Sequence, residues 1–184
     1  MKFLFASDIH GDLAAAEAVK RAFSSSGAKR LVLLGDLLYH GPRNDLPKEY
    51  NPRAVIELLN GLGDRILAVR GNCDAEVDQM VLSFPIMADY AVLPLGHCVA
   101  YLTHGHHYHK DALPPMGEGD VLVHGHTHVA GIVRAETGHA VLNPGSASMP
   151  KENTPPSYLL FDTETGIFTL HRLADDVVWA SLEL

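Results

Sequence analysis

The sequence predicts an α/β protein built from two stacked β-sheets with helices outside them. Three observations carry that expectation: five short apolar runs of strand length, helical periodicity between the first three, and a change to hairpin patterning after His128. The runs cover residues 2–6, 31–34, 66–69, 99–102 and 121–123. They are rich in Val, Ile, Leu and Phe without clean alternation, as strands covered on both faces tend to be. After the first run, Leu13, Ala16, Val19 and Phe23 recur on one helical face, and Gly27 supplies a stop. Val55, Leu58, Leu59 and Leu62 repeat that pattern before the third run, with Pro52 near the start and Gly61 and Gly63 near the end. A third helix is expected over 76–83, ahead of Pro85. Strands alternating with helices imply a parallel sheet with right-handed crossovers, in which the five runs are neighbours.

Beyond His128, residues 129–135 and 139–142 flank Glu136-Thr137-Gly138, and residues 157–162 and 167–173 flank Thr163-Glu164-Thr165-Gly166. Both read as hairpins, and 177–182 adds a last strand. These strands are too few and too short to stand alone, so they are expected to pack face to face on the first sheet. No linker, repeat or low-complexity segment divides the chain, and residues 1–184 are assigned to a single domain.

An apolar fraction of 47% with 20% charged residues is that of a globular protein, not a disordered one. A net charge of −8 argues against sequence-independent nucleic-acid binding, which depends on clustered Lys and Arg. No apolar run approaches the roughly 20 residues that cross a bilayer, so no membrane association is expected. The apolar start of the chain is cut off by Asp8, short of the roughly 7–15 residues of a signal sequence. Two cysteines are too few for a disulfide framework, and the cytoplasm is the expected compartment.

Each apolar run ends in a polar cluster: Ser7-Asp8-Ile9-His10-Gly11, Gly35-Asp36, Arg70-Gly71-Asn72-Cys73-Asp74, Thr103-His104-Gly105-His106 and His124-Gly125-His126-Thr127-His128. Ligands of open α/β sheets bind beyond the carboxyl ends of the strands, so five clusters on adjacent strand ends converge on one cavity. Seven of the twelve histidines lie between His104 and His128. Carboxylate, imidazole and amide oxygen together suit divalent ions such as Mn²⁺, Zn²⁺ or Fe²⁺. No cysteine pair has the spacing of a closed structural zinc site. Asp8, His10, Asp36, Asn72, His104, His126 and His128 are too many ligands for one ion that must keep open positions. They suit two ions sharing a carboxylate.

The ordered series D-x-H, G-D, G-N-x-D, H-G-H and G-H-T-H resembles the calcineurin-like metallophosphoesterase superfamily. His40-Gly41-Pro42-Arg43-Asn44 and Gly71 to Asp74 are similar to its small bacterial YfcE-type phosphodiesterases. That resemblance implies a four-layer αββα sandwich of two mixed sheets flanked by helices. It also implies that Asp8, His10 and His128 bind one ion, that Asn72, His104 and His126 bind the other, and that Asp36 bridges them. The two divalent ions, Mn²⁺ by resemblance with Zn²⁺, Fe²⁺ or Ni²⁺ as alternatives, would hold a hydroxide that attacks a small phosphodiester in line.

Many phosphatases of the superfamily carry G-N-H where this chain has Gly71-Asn72-Cys73. The Cys73 thiol is a candidate proton donor to the leaving group but lacks imidazole's second nitrogen and its charge, so simple alkyl phosphates are expected to be poor substrates and esters with stable leaving groups better ones. His106 is the candidate replacement acid or a hydrogen-bond partner of phosphate or ligand. Arg43 is a candidate phosphate clamp or a surface ion pair. Asp74 either orients a ligand or caps the helix that follows. His40 is a substrate contact or a solvated loop residue. His107, His109 and His124 match no ligand position and are assigned to the surface. Cys98 is read as core, and Trp179 as packing or a homo-oligomer contact. A phosphomonoesterase is the alternative enzyme, because the same metals serve both reactions. A non-catalytic scaffold of the same fold, as in one retromer subunit, is free to shed its ligands, whereas this chain keeps all seven.

Overall fold

A computed structural model describes residues 1–184. Helix α1 (Leu13–Ser25) follows strand β1 (Lys2–Ala6), and its N-cap Asp12 accepts a hydrogen bond from the Ala15 amide at 2.8 Å. After β2 (Arg30–Leu33), α2 (Pro52–Asn60) starts at Asn51, whose side chain caps the Ala54 amide, and leads through a 3-10 turn into β3 (Ile66–Ala68). Helix α3 (Glu76–Gln79) is shorter than the expected 76–83. The Gln79 side chain takes up the Leu82 and Phe84 carbonyls and the Ile86 amide, which draws the chain out of the helix and buries Leu82, Phe84 and Ile86.

Strand β4 (Tyr90–Pro94), which the apolar runs did not signal, alternates exposed and half-buried residues at a sheet edge. Next come β5 (Val99–Thr103), β6 (Val121–Val123), β7 (Gly131–Arg134), β8 (Ala140–Asn143), β9 (Ser157–Asp162), β10 (Ile167–Arg172) and β11 (Val178–Glu183). Two mixed sheets result, with orders β11-β10-β9-β1-β2-β3 and β4-β5-β6-β8-β7. The expected pair of stacked sheets is present, but its strand assignment needs correction. The five apolar runs do not form one sheet: β5 and β6 pair with β4 and β8, while β9 adds antiparallel to β1. The helical crossovers stop after β3, so β5 has no helix to carry it back beside β3.

The unalternating runs now have a cause. Phe3, Phe5, Val32 and Leu34, with Phe168 of β10 in the same sheet, face the second sheet, where they meet Leu102, Val123 and Leu142. Leu4, Ala6, Leu31 and Leu33 face Ala16, Val19, Phe23, Val55 and Leu59 of α1 and α2. Helices therefore cover one outer face only. The outer face of β4-β5-β6-β8-β7 lies instead under a helix-free segment, residues 104–120.

Candidate metal centre

The seven candidate ligands meet where the two sheets adjoin. Asp8 and His10 follow β1, Asp36 follows β2, and Asn72 follows β3 in the first sheet; His104 follows β5, and His126 and His128 follow β6 in the second. Five of them hold left-handed backbone: Asp8 (φ 55°), His10 (52°), Asp36 (55°), His126 (67°) and His128 (61°). Non-glycine residues rarely adopt that region, and its recurrence here marks loops shaped by the site. Cross-loop amides hold them, with the Asp8 amide donating to Gly35 O at 3.1 Å and the His10 amide to Asp36 O at 2.9 Å. Not all of the nearby glycines serve sharp turns. A Cβ on Gly71 would collide with Asp36, and one on Gly125 with Ser7 Oγ, so these two let neighbouring loops touch.

Three imidazoles have their protons assigned by geometry. The Nδ1–H groups of His10, His104 and His128 donate to the carbonyls of Tyr39 (2.8 Å), Leu34 (2.7 Å) and Met149 (2.7 Å). A carbonyl can only accept, so in the neutral rings each Nε2 carries a lone pair. Those lone pairs converge on acceptors. His10 Nε2 lies 3.2 Å from His128 Nε2, and both lie within 3.5 Å of Asp8 Oδ1, a buried oxygen with no hydrogen-bond partner. His104 Nε2 lies 3.0 Å from Asn72 Oδ1 and 3.2 Å from His126 Nδ1. Asp36 Oδ2 sits between the groups, 3.7 Å from His10 Nε2 and 3.4 Å from His104 Nε2. Acceptors crowded this closely require a cation among them.

The electrostatics agree. Burial opposes charge on His104, yet hydrogen bonding to Asp36 and the attraction of Asp8 and Asp36 lift its pKa to about 9. His10 is raised in the same way, against burial, chiefly by Asp8. Burial would raise the Asp8 pKa, but the facing His10 and His128 hold it well below the usual carboxylate range. The pocket therefore holds positive charge, as protons when metal-free and as divalent ions otherwise.

Asp74 is decided in favour of positioning. Its buried carboxylate accepts from the amides of Asp36 (2.8 Å), Gly71 (2.7 Å) and Leu37 (2.9 Å), and the N-cap of α3 is Ala75 instead. His124 is not a surface residue: it is 5% exposed, and burial pushes its pKa down to about 4. Its ring nitrogen lies 3.0 Å from Gly125 O and 3.4 Å from Asn143 Nδ2. Cys73 Sγ lies against the Asp36 and His10 side chains, and burial and the Asp36 charge push its pKa to about 12. A thiol held there is a weak acid at neutral pH. His106 stays neutral, lowered to about 4 by burial and by His104, with its buried Nδ1 unpartnered.

Arg43 lines the open cleft beside His10, Asp36 and His128, as does Lys151, which sequence reasoning missed. The ion pairs of other Lys and Arg side chains involve Lys2, Arg21, Lys110 and Arg172, so Arg43 and Lys151 face the cleft without carboxylate partners. Ser148 was also missed, and Ser146, in the Asn143-Pro144-Gly145-Ser146 segment that shares the family resemblance, had no role assigned; their hydroxyls donate to Asp8 O at 2.8 and 2.9 Å and fix the strained loop. A lone Ser or Lys in a loop gives no sequence signal for such a role. His40 is half-buried, its ring edge-on to Tyr39 and Tyr50. Cys98 is buried, whereas Trp179 is exposed on the edge strand β11.

The two stacked sheets with acidic and imidazole groups at their joined strand ends define a metallophosphoesterase. Residues 1–166 match the calcineurin-like phosphoesterase superfamily domain, and the chain belongs to that superfamily. It is 50% identical to phosphodiesterase YfcE of Escherichia coli K12 over 185 residues, spanning 100% of this chain and 98% of the relative. The solved structure of that E. coli phosphoesterase superposes with a TM-score of 0.93 at 46% identity, covering 99% of this chain and 98% of the other. Vps29 of Cryptosporidium parvum shares the fold, with a TM-score of 0.64 at 19% identity over 100% and 98% of the two chains. No helix is long and apolar enough to cross a membrane.

Proposed function

We propose that this phosphoesterase is a dinuclear phosphodiesterase acting on a small phosphodiester in the cytoplasm, with Mn²⁺ as its metal. The observation that carries the reading is the set of fixed Nε2 lone pairs on His10, His104 and His128, directed at the same space as Asp8, Asp36 and Asn72. Asp8, His10 and His128 would hold one ion, Asn72, His104 and His126 the other, and Asp36, placed between the groups, would bridge them. Bound ions supply Lewis acidity and a hydroxide nucleophile at neutral pH for in-line attack on phosphorus. Arg43 and Lys151 receive the non-bridging oxygens from the cleft side. Asp74 and the Ser146 hydroxyl keep Asp36 and Asp8 aimed inward.

The name of the E. coli relative and Cys73 both favour the diester. An alkoxide leaving group needs a proton donor, most of all in a monoester, whose loose transition state places the most charge on it, and neither the Cys73 thiol nor neutral His106 is a strong acid at neutral pH. The second reading, a phosphomonoesterase, draws on the two free cations of the cleft, which suit a doubly charged phosphate. Parallel assays of the Mn²⁺-loaded protein on bis(p-nitrophenyl) phosphate and p-nitrophenyl phosphate separate the readings. Faster diester turnover is expected; faster monoester turnover overturns it.

A further inference from the structure

The cleft has a second arm that the metal centre does not use. Ala140 and Leu142 of β8 point into the core between the sheets, so Val141 and Asn143 point to the outer face. Gly131 and Val133 of β7 stand opposite Asn143 and Val141 in register and share that face. Helices bury the corresponding face of the other sheet, whereas here residues 104–111 arch over the strands and leave a cavity of about 510 Å³. Its strand side carries Val129, Val133 and Val141, its loop side His106 and His109, and the charged Lys110, Asp111 and Glu152 also line it. His126 and Thr127 line both this cavity and the cleft with Arg43 and Lys151, so the two arms join beside the metal ligands.

We propose that this cavity is the subsite for one flat ester group of the substrate, an inference that rests on the phosphodiesterase reading above. Two ester groups leave phosphorus in different directions, and a cleft with two arms receives both. The arms are chemically unequal. The Arg43 side is polar and cationic, while the second arm exposes mostly apolar surface, with valine side chains across from His106 and His109 and with Lys110, Asp111 and Glu152 beside them, which suits a flat group that carries polar substituents at its edge. Gly131 keeps the arm open, because a Cβ there would meet nothing within 4 Å. The preferred substrate class is therefore an asymmetric diester with one aromatic or similarly flat substituent.

Phosphonates test this without a leaving group. Phenylphosphonate and methylphosphonate are compared as competitive inhibitors of Mn²⁺-dependent hydrolysis of methyl p-nitrophenyl phosphate. The phenyl compound is expected to bind about tenfold more tightly, the gain from burying part of one ring. Val133→Glu places a charge on the apolar wall, and Gly131→Phe fills the arm. Each is expected to bring the ratio of inhibition constants near one by weakening phenylphosphonate, while the inhibition constant of methylphosphonate is unchanged. Equal inhibition by both phosphonates in the wild type, or an undiminished ratio in both variants, overturns the subsite. Absence of Mn²⁺-dependent diester hydrolysis in the wild type sinks the phosphodiesterase reading itself, a different failure.

Discussion

The two sheets contribute to one metal centre but are covered differently. On its outer face the six-stranded sheet carries α1 and α2, and Phe23, Val55 and Leu59 close that side with almost no exposed area. On its outer face the five-stranded sheet carries a helix-free segment, with Tyr90, Val92 and Val133 left largely exposed. The first sheet thus acts as a platform that fixes Asp8, Asp36 and Asn72. The second supplies His104, His126 and His128 and leaves room beside them for substrate. Metal binding depends on both halves staying in register, whereas substrate choice is expected to reside in the looser half.

Cutting the link between the halves should have the largest effect. Asp36→Asn is expected to lower hydrolysis by about three orders of magnitude and to deplete both ions on metal analysis. His10→Ala should deplete one ion only. Near-normal turnover in Asp36→Asn would remove Asp36 from the bridging role.

The shared core between the sheets comes next. Phe168 is fully buried, with ring centroids 5.9 Å from Phe5 and 4.4 Å from Phe161. Phe168→Ala should cost about 3–5 kcal/mol in denaturant unfolding, whereas Tyr90→Ala on the open face should change stability by less than about 1 kcal/mol. Equal losses at the two positions would mean that the open face is packed as tightly as the core.

A milder perturbation acts through the platform alone. Asp74→Asn leaves one oxygen and an NH₂ group facing three amides, and should reduce metal affinity or turnover by about 10- to 100-fold with the fold retained. An unchanged enzyme would show that the Asp36 loop needs no such support.

In chelator-treated protein, His104 is raised from 6.5 to about 9 in the folded state. A raised folded pKa contributes stability that is fully present below 6.5 and lost as the pH climbs through about 9. The melting temperature of metal-free protein should fall over that interval, and Mn²⁺ affinity should rise, since the ion displaces the proton. Affinity independent of pH would count against His104 as a ligand. The smallest expected change is a few-fold gain in monoester hydrolysis for Cys73→His, where an imidazole supplies the acid the thiol cannot. No gain would show that the leaving-group proton comes from elsewhere.

Much of the site could be read from the chain because its ligands follow strand ends within a few residues, as in Gly35-Asp36 after β2 and His126-Thr127-His128 after β6. Local chemistry also marked α1, where the apolar period and Gly27 placed the helix between β1 and β2. Strand partners were harder. Nothing local to β9 says that it joins β1, because pairing is a choice among edges made by packing across the whole domain.

The sequence by itself determined which residues gather: carboxylate, amide and imidazole types at five strand ends, with Cys73 in place of the usual histidine. Only the tertiary structure decided that these ends belong to two sheets, that carbonyls of Tyr39, Leu34 and Met149 fix the imidazole tautomers, and that Asp74 braces Asp36. Ligand identity is written in single side chains, whereas partnership depends on groups 21 to 70 residues apart that meet only when the chain is packed.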